Sequence, residues 1–137
     1  ISYRRSKQPT LYRYSGVARF TTGCVGANNK NLPICNTYNS SQVKEVVTGS
    51  EIVLVTLGTG VGIEAEGRDR SSMDLPGKQL EMLKDVVKFA SGPVIVLLFN
   101  AGPLDVRWPM DNVAAVIACH FSAQMTGAGI MKVITGQ

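Results

Sequence analysis

Apolar residues follow two rhythms along this chain. Three runs, Ile52–Leu57, Val94–Phe99 and Val113–Cys119, are continuous rather than alternating and hold many β-branched residues. Such runs suit strands covered on both faces, as in a parallel sheet. Between the first two, Lys78–Ser91 keeps a helical period. Leu80, Leu83, Val87 and Ala90 fall on one side, widened by Met82, Val86 and Phe89, while Glu81, Lys84, Asp85 and Lys88 gather opposite. Gly92-Pro93 stops that helix, because proline cannot continue it. Ser41 is a candidate cap for a shorter helix over Gln42–Val47, which Gly49 ends. Pro103–Asn112 reads as a turn and Thr126–Thr135 as a helix. Alternating strands and helices with short connections predict right-handed crossovers, hence an α/β fold with a parallel sheet over residues 41–137. Residues 1–40 read as a basic N-terminal arm, with a short helix in Thr10–Phe20, and a loop rich in Asn, Gly and Pro.

In open α/β sheets, ligands lie beyond the carboxyl ends of the strands. Glu64–Arg70, Asn100–Asp105 and His120–Gln124 follow the three runs and therefore share one edge. The first of these loops is dense in charge, with Glu64, Glu66, Arg68, Asp69 and Arg70 between Gly62 and Ser71. Unpartnered burial of those groups would be costly, so the loop is a solvated turn or a polar site. Gly60-Val61-Gly62-Ile63-Glu64-Ala65 fits the letters of a dinucleotide fingerprint. No apolar helix opens behind it, and two carboxylates would face a pyrophosphate that needs amide donors.

Composition narrows the classes. The chain has 137 residues, enough for one domain with a core, and 45% of them are hydrophobic. The longest apolar run, Val94–Phe99, is far too short to cross a bilayer as a helix. The net charge of +4 is uneven, with Arg4, Arg5, Lys7, Arg13, Arg19, Lys30 and Lys44 preceding the first acid, Glu45. No nucleic-acid motif accompanies that arm, so we expect a solvated or partner-facing segment. No zinc site is expected, because two cysteines and a distant His120 are not a ligand set. Cys119 reads as a buried free thiol, and Asn39-Ser40-Ser41 is a glycosylation sequon.

Glu64-Ala65-Glu66-Gly67-Arg68-Asp69-Arg70, followed by Leu75-Pro76-Gly77-Lys78-Gln79-Leu80, resembles the signature of glycoside hydrolase family 3. The likeness is to the β-xylosidase branch, in the C-terminal α/β sandwich domain. Asn100-Ala101-Gly102-Pro103-Leu104-Asp105-Val106 is similar to that domain's N-G-G-P-x-D-V segment, with Ala101 in place of a glycine. The matches keep family order from Gly23 to Gly136. The resemblance implies part of a three-layer sandwich, with a mostly parallel sheet flanked by helices. It also implies a retaining β-glycosidase whose barrel domain, on another segment or chain of the same precursor, supplies an aspartate nucleophile. The sandwich would supply the acid/base glutamate on a loop reaching over the barrel. Spacing to the Asp-Arg pair favours Glu64, while family members with a shorter loop match Glu66, which is held as alternate or sugar-contacting residue. Arg68, Asp69 and Arg70 are candidate carbohydrate-binding residues, with Asp69 and Arg70 also a loop-bracing ion pair.

Gly23-Cys24…Cys35 resembles the family's G-C-x(n)-C segment, which implies a disulfide between Cys24 and Cys35. Cysteine pair and sequon both favour a secreted protein, with Asn39 glycosylated. No cofactor is implied. No aspartate here sits in a barrel motif, so the chain alone is expected to be inactive. Ile1 rather than Met at the start suggests a processed product or part of a longer chain. One departure stands out: Phe121–Gly127 lacks the proline and two glycines of the family's corresponding segment. It makes a second reading credible, a structural, storage or carbohydrate-contacting subunit that keeps the fold without turnover.

Overall fold

A computed structural model describes residues 18–21, 23–25, 35–60 and 62–137. Most of the basic arm and most of the Asn-rich loop lie outside the described residues. So does the helix expected in Thr10–Phe20, except for Ala18–Phe20, which is not helical.

A two-stranded antiparallel ribbon, β1 (Cys24–Val25) and β2 (Thr37–Tyr38), comes first. Cys24 and Cys35 are bonded across its base. The ribbon leads into helix α1 (Ser40–Val47). Its cap is Asn39 rather than Ser41, and the Asn39 side chain accepts from the Gln42 N–H at 3.1 Å. Both residues can cap, but the ribbon fixes Asn39 by pairing its N–H with the Gly23 carbonyl.

Strand β3 (Val53–Gly58), helix α2 (Gln79–Phe89) and strand β4 (Val94–Phe99) form the first crossover. The connection after β4 holds a short helix, α3 (Arg107–Asn112), where only a turn was expected. Strand β5 (Ala115–Ala118) and helix α4 (Thr126–Thr135) complete the chain. The sheet is parallel, in the order β3-β4-β5, and Gly58 pairs with Phe99 as Leu98 does with Ala118. The three carboxyl ends therefore lie along one edge, as the element order predicted.

The core lies between one sheet face and helices α1 and α2. Val53, Val55 and Leu57 of β3 and Val94, Val96 and Leu98 of β4 meet Val43, Val47, Met82, Leu83 and Val86. On α2 the buried stripe centres on Met82, Leu83 and Val86, with Leu80 and Val87 at its flank. Coverage on both faces holds for most of β4, but β3 alternates between buried and exposed, with Leu54 45% exposed. β3 is an edge strand here, so only its α1/α2 face is packed. β5 is half-buried or exposed throughout, not a buried strand, and α4 buries no residue. Cys119 is likewise only half-buried, and that partial burial pushes its thiol pKa up.

The ribbon is anchored on α2. The Cys35 carbonyl accepts the Lys78 N–H at 2.6 Å. Tyr38 Oη and Ser40 Oγ donate to Asp85 Oδ2 at 2.9 and 2.6 Å. The Ser40 bond, with the others, holds the Asp85 carboxyl below the usual carboxylate range.

Candidate active-site loop

The loop after β3 begins where the chain can no longer continue as a strand. Gly58 has φ 144, and a Cβ there would lie 1.8 Å from the Phe99 carbonyl oxygen, so only glycine fits. Thr59 is held by donation of its N–H to that same carbonyl at 2.8 Å. Its hydroxyl donates to Glu64 Oε1.

Glu64 is buried, 6% exposed, and joins two of the three edge loops. Its Oε1 also accepts the N–H groups of Ala101 and Gly102 at 2.9 and 3.1 Å. Its Oε2 accepts from Arg70 Nε at 2.9 Å. Arg70 Nη2 continues to the Pro103 carbonyl at 2.5 Å, and Nη1 to the Ser72 carbonyl at 3.0 Å. The carboxylate is thus a knot between the loop after β3 and the loop after β4. The Thr59 bond, then the Gly102 and Ala101 amides and Arg70, outweigh burial and lower its pKa to about 2.

These surroundings run against the acid/base role that spacing favoured for Glu64. A general acid for glycosidic cleavage must carry a proton near neutrality. Glu64 is ionised there, and its oxygens are occupied by the protein's own donors. The expected Asp69–Arg70 ion pair is also replaced. Arg70 pairs with Glu64, while Asp69 Oδ1 accepts the Arg70 backbone N–H at 2.8 Å.

Glu66 sits elsewhere. Ala65 and Arg68 exchange both backbone bonds, 3.0 and 2.9 Å, closing a tight reverse turn with Glu66 and Gly67 at its tip. Gly67 has φ 73, the left-handed conformation that the second tip position of such a turn requires. Glu66, Arg68 and Asp69 are exposed. Among the described residues the Glu66 side chain makes no hydrogen bond or ion pair, and Arg68 donates to the Gly62 carbonyl at 3.1 Å. The site therefore has a buried foundation, Glu64 and Arg70, and an exposed crown.

Sequence reasoning missed Thr59, Gln79, Asn100 and the Ala101–Gly102 amides. Gln79 and Asn100 stood inside the quoted motifs, and burial is what gives them meaning. Asp105 ties down the turn after Pro103. Its Oδ1 accepts the Arg107 N–H at 3.0 Å, and its own N–H reaches the Met73 carbonyl at 2.7 Å. Trp108, with Lys84 5.5 Å from its ring centre, lines a groove of about 310 Å³ alongside Asp74 and Asp105. Among the described residues no three His, Cys, Asp or Glu side chains gather as a metal site. None of the described helices is long and apolar enough to cross a membrane.

Comparison with known proteins bears on the same residues. Residues 6–137 match the model of the glycosyl hydrolase family 3 C-terminal domain. The chain is 29% identical over 135 residues to a probable beta-D-xylosidase 6 of Arabidopsis thaliana, covering 97% of this chain and 16% of that protein. It is 36% identical over 89 residues to beta-D-xylosidase 1 of the same plant, covering 64% and 12%. A beta-xylosidase/alpha-L-arabinofuranosidase 2 of Medicago sativa subsp. varia is 27% identical over 119 residues, covering 85% and 15%. Among solved structures, a beta-glucosidase of Kluyveromyces marxianus superposes with a TM-score of 0.64 at 22% identity, over 71% of this chain and 11% of that one. The chain thus spans only 12 to 16% of the length of these plant relatives. Parallel sheet, signature loop and family-wide match agree: the chain belongs to glycosyl hydrolase family 3, as part of its C-terminal domain.

Proposed function

We propose that this chain is the acid/base-bearing part of a secreted retaining β-glycosidase acting on β-xylosides. Glu66 is the proton donor, and Glu64 and Arg70 hold the loop that presents it. The observation that carries this reading is the contrast between the two glutamates. Glu64 is saturated with donors and ionised, whereas Glu66 stands exposed at the tip of a reverse turn braced from below. Retaining hydrolysis needs a second carboxyl group roughly 5 Å away as nucleophile. A barrel domain of the same precursor supplies that aspartate. Docking of the barrel encloses the turn tip that carries Glu66 against the glycosidic oxygen. Arg68 and Asp69 flank the tip and are placed to contact sugar hydroxyls. The disulfide at Cys24–Cys35 and the sequon at Asn39 support an extracellular, glycosylated protein.

Leaving-group dependence tests the assignment in the protein assembled with its barrel. Glu66→Ala should slow hydrolysis of alkyl β-xylosides on the order of 10²- to 10⁴-fold. It should slow cleavage of a dinitrophenyl β-xyloside far less, because that leaving group needs no proton. Equal losses on both substrates would remove Glu66 from the role. The chain without a barrel should give no turnover of either.

A second reading has its own support. His120 has φ 52, a conformation costly for a residue with a side chain, at the start of the segment lacking the family's proline and glycines. A domain altered at that edge would contact carbohydrate without turnover. Labelling with a fluorinated xyloside separates the two, since only the catalytic protein accumulates a glycosyl-enzyme.

A further inference from the structure

The carboxamide of Gln79, the first residue of α2, is buried, 6% exposed. Its Oε1 accepts the Gly58 N–H and its Nε2 donates to the Gly58 carbonyl, each at 2.8 Å. One side chain thus pairs both backbone groups of one residue, as a neighbouring strand's residue would. Gly58 is where the chain leaves β3, and the next residue, Thr59, supplies the hydroxyl beneath Glu64. Position at the other end is set from outside the sheet: Lys78 donates to the Cys35 carbonyl, beside the disulfide.

We propose that Gln79 is a positioning residue for the acid/base loop: by clamping Gly58 it fixes the exit from β3, and with it the seat that Thr59 gives Glu64 under the turn carrying Glu66. The inference rests on the reading of Glu66 above for its catalytic meaning, but its physical content concerns only Gly58, Thr59 and Glu64. A clamp of this kind needs one donor and one acceptor in the plane of a single group. Glutamine supplies both. Glutamate supplies both only when protonated, and alanine supplies neither.

That chemistry sets the experiment on this chain, with no turnover required. Gly58 amide exchange and the ¹³C titration of the Glu64 carboxyl are followed by NMR in Gln79→Ala, Gln79→Glu and Val86→Ala, the last a core variant that loosens α2 without touching the clamp. In Q79A, Gly58 protection should fall at least tenfold and the Glu64 titration midpoint should rise. In Q79E, Gly58 protection should be native-like near pH 4 and lost near pH 8, where the new carboxyl is ionised, while the Glu64 midpoint, read where the new carboxyl is protonated, should stay native-like. V86A should leave the Glu64 midpoint unchanged. The proposal fails if V86A moves that midpoint as far as Q79A does, or if Q79E behaves alike at both pH values. Should the clamp hold while Glu66→Ala shows no leaving-group dependence, the catalytic assignment falls and the positioning of Glu64 stands.

Discussion

Two regions of this chain share a hydrophobic pattern and differ in what they do with it. In the unit β3–α2–β4, the apolar residues of the sheet's packed face and of α2 meet across a common core, and Leu83 is completely buried. In β5–α4, residues of the same kind remain on the surface, with Val133 63% exposed and Met131 49%. Both regions form the elements their periodicity predicts. Period alone therefore specifies an element, whereas burial depends on what faces it. The first unit has its partners within the chain; among the described residues the second has only β4 alongside β5 and the contact of Val116 with the core, and α4 buries no residue.

The largest expected effect is on that contrast. Leu83→Ala should cost about 3 to 4 kcal/mol, as large-to-small changes in packed cores do. Val133→Ala, chemically milder but equally apolar, should change stability by no more than about 0.5 kcal/mol. Urea unfolding of both variants measures the difference. A comparable loss for Val133→Ala would show that α4 is packed, and the comparison would fail.

The next effect belongs to the buried knot that the first unit carries at its edge. Glu64→Ala leaves the Arg70 guanidinium and the Ala101 and Gly102 amides without their acceptor. Breaking a buried, hydrogen-bonded charge should cost about 3 kcal/mol. The effect carries a pH signature. The folded Glu64 carboxyl titrates at about 2, below its ordinary 4.5. Its contribution is therefore complete above the ordinary value and is lost as pH falls from there through the folded value. Wild type and Glu64→Ala should differ most near neutrality and converge towards pH 2. A constant gap across that range would mean the charge is not what matters. The disulfide, which spans a sequence separation of 11, comes beside it. Replacing Cys24 and Cys35 by serine should cost about 3 kcal/mol, with no pH dependence below neutrality.

Much of this was legible in the residues. The strand runs, the α2 stripe, the shared carboxyl edge and the span of α4 all follow from period and punctuation. The contrast between the two glutamates of the charged loop did not. Glu64 and Glu66 are two residues apart and chemically identical, and letter spacing favoured Glu64. What separates them is a strand–loop register that delivers the Ala101 and Gly102 amides to one and a turn tip to the other. That register is set by residues far along the chain. Burial of β5 and the exposed face of β3 were misjudged for the same reason, since an apolar run does not say how many of its faces are covered.

The smallest effect sharpens the knot itself. Gly102 lacks the left-handed φ that would demand glycine, so only space is at issue. A Cβ there would lie 3.0 Å from Glu64 Oε2 and 3.6 Å from Arg70 Nη2. Gly102→Ala should therefore cost about 1 kcal/mol by displacing the carboxylate from Arg70. In a Glu64→Ala background the obstructing oxygen is gone, and the same substitution should be nearly neutral. A double-mutant cycle would then give a coupling of about 1 kcal/mol, within the range seen for residues in direct contact. Additive costs would locate the requirement for glycine in the backbone. They would show that the fit of Gly102 around the carboxylate is incidental to the junction of the two edge loops.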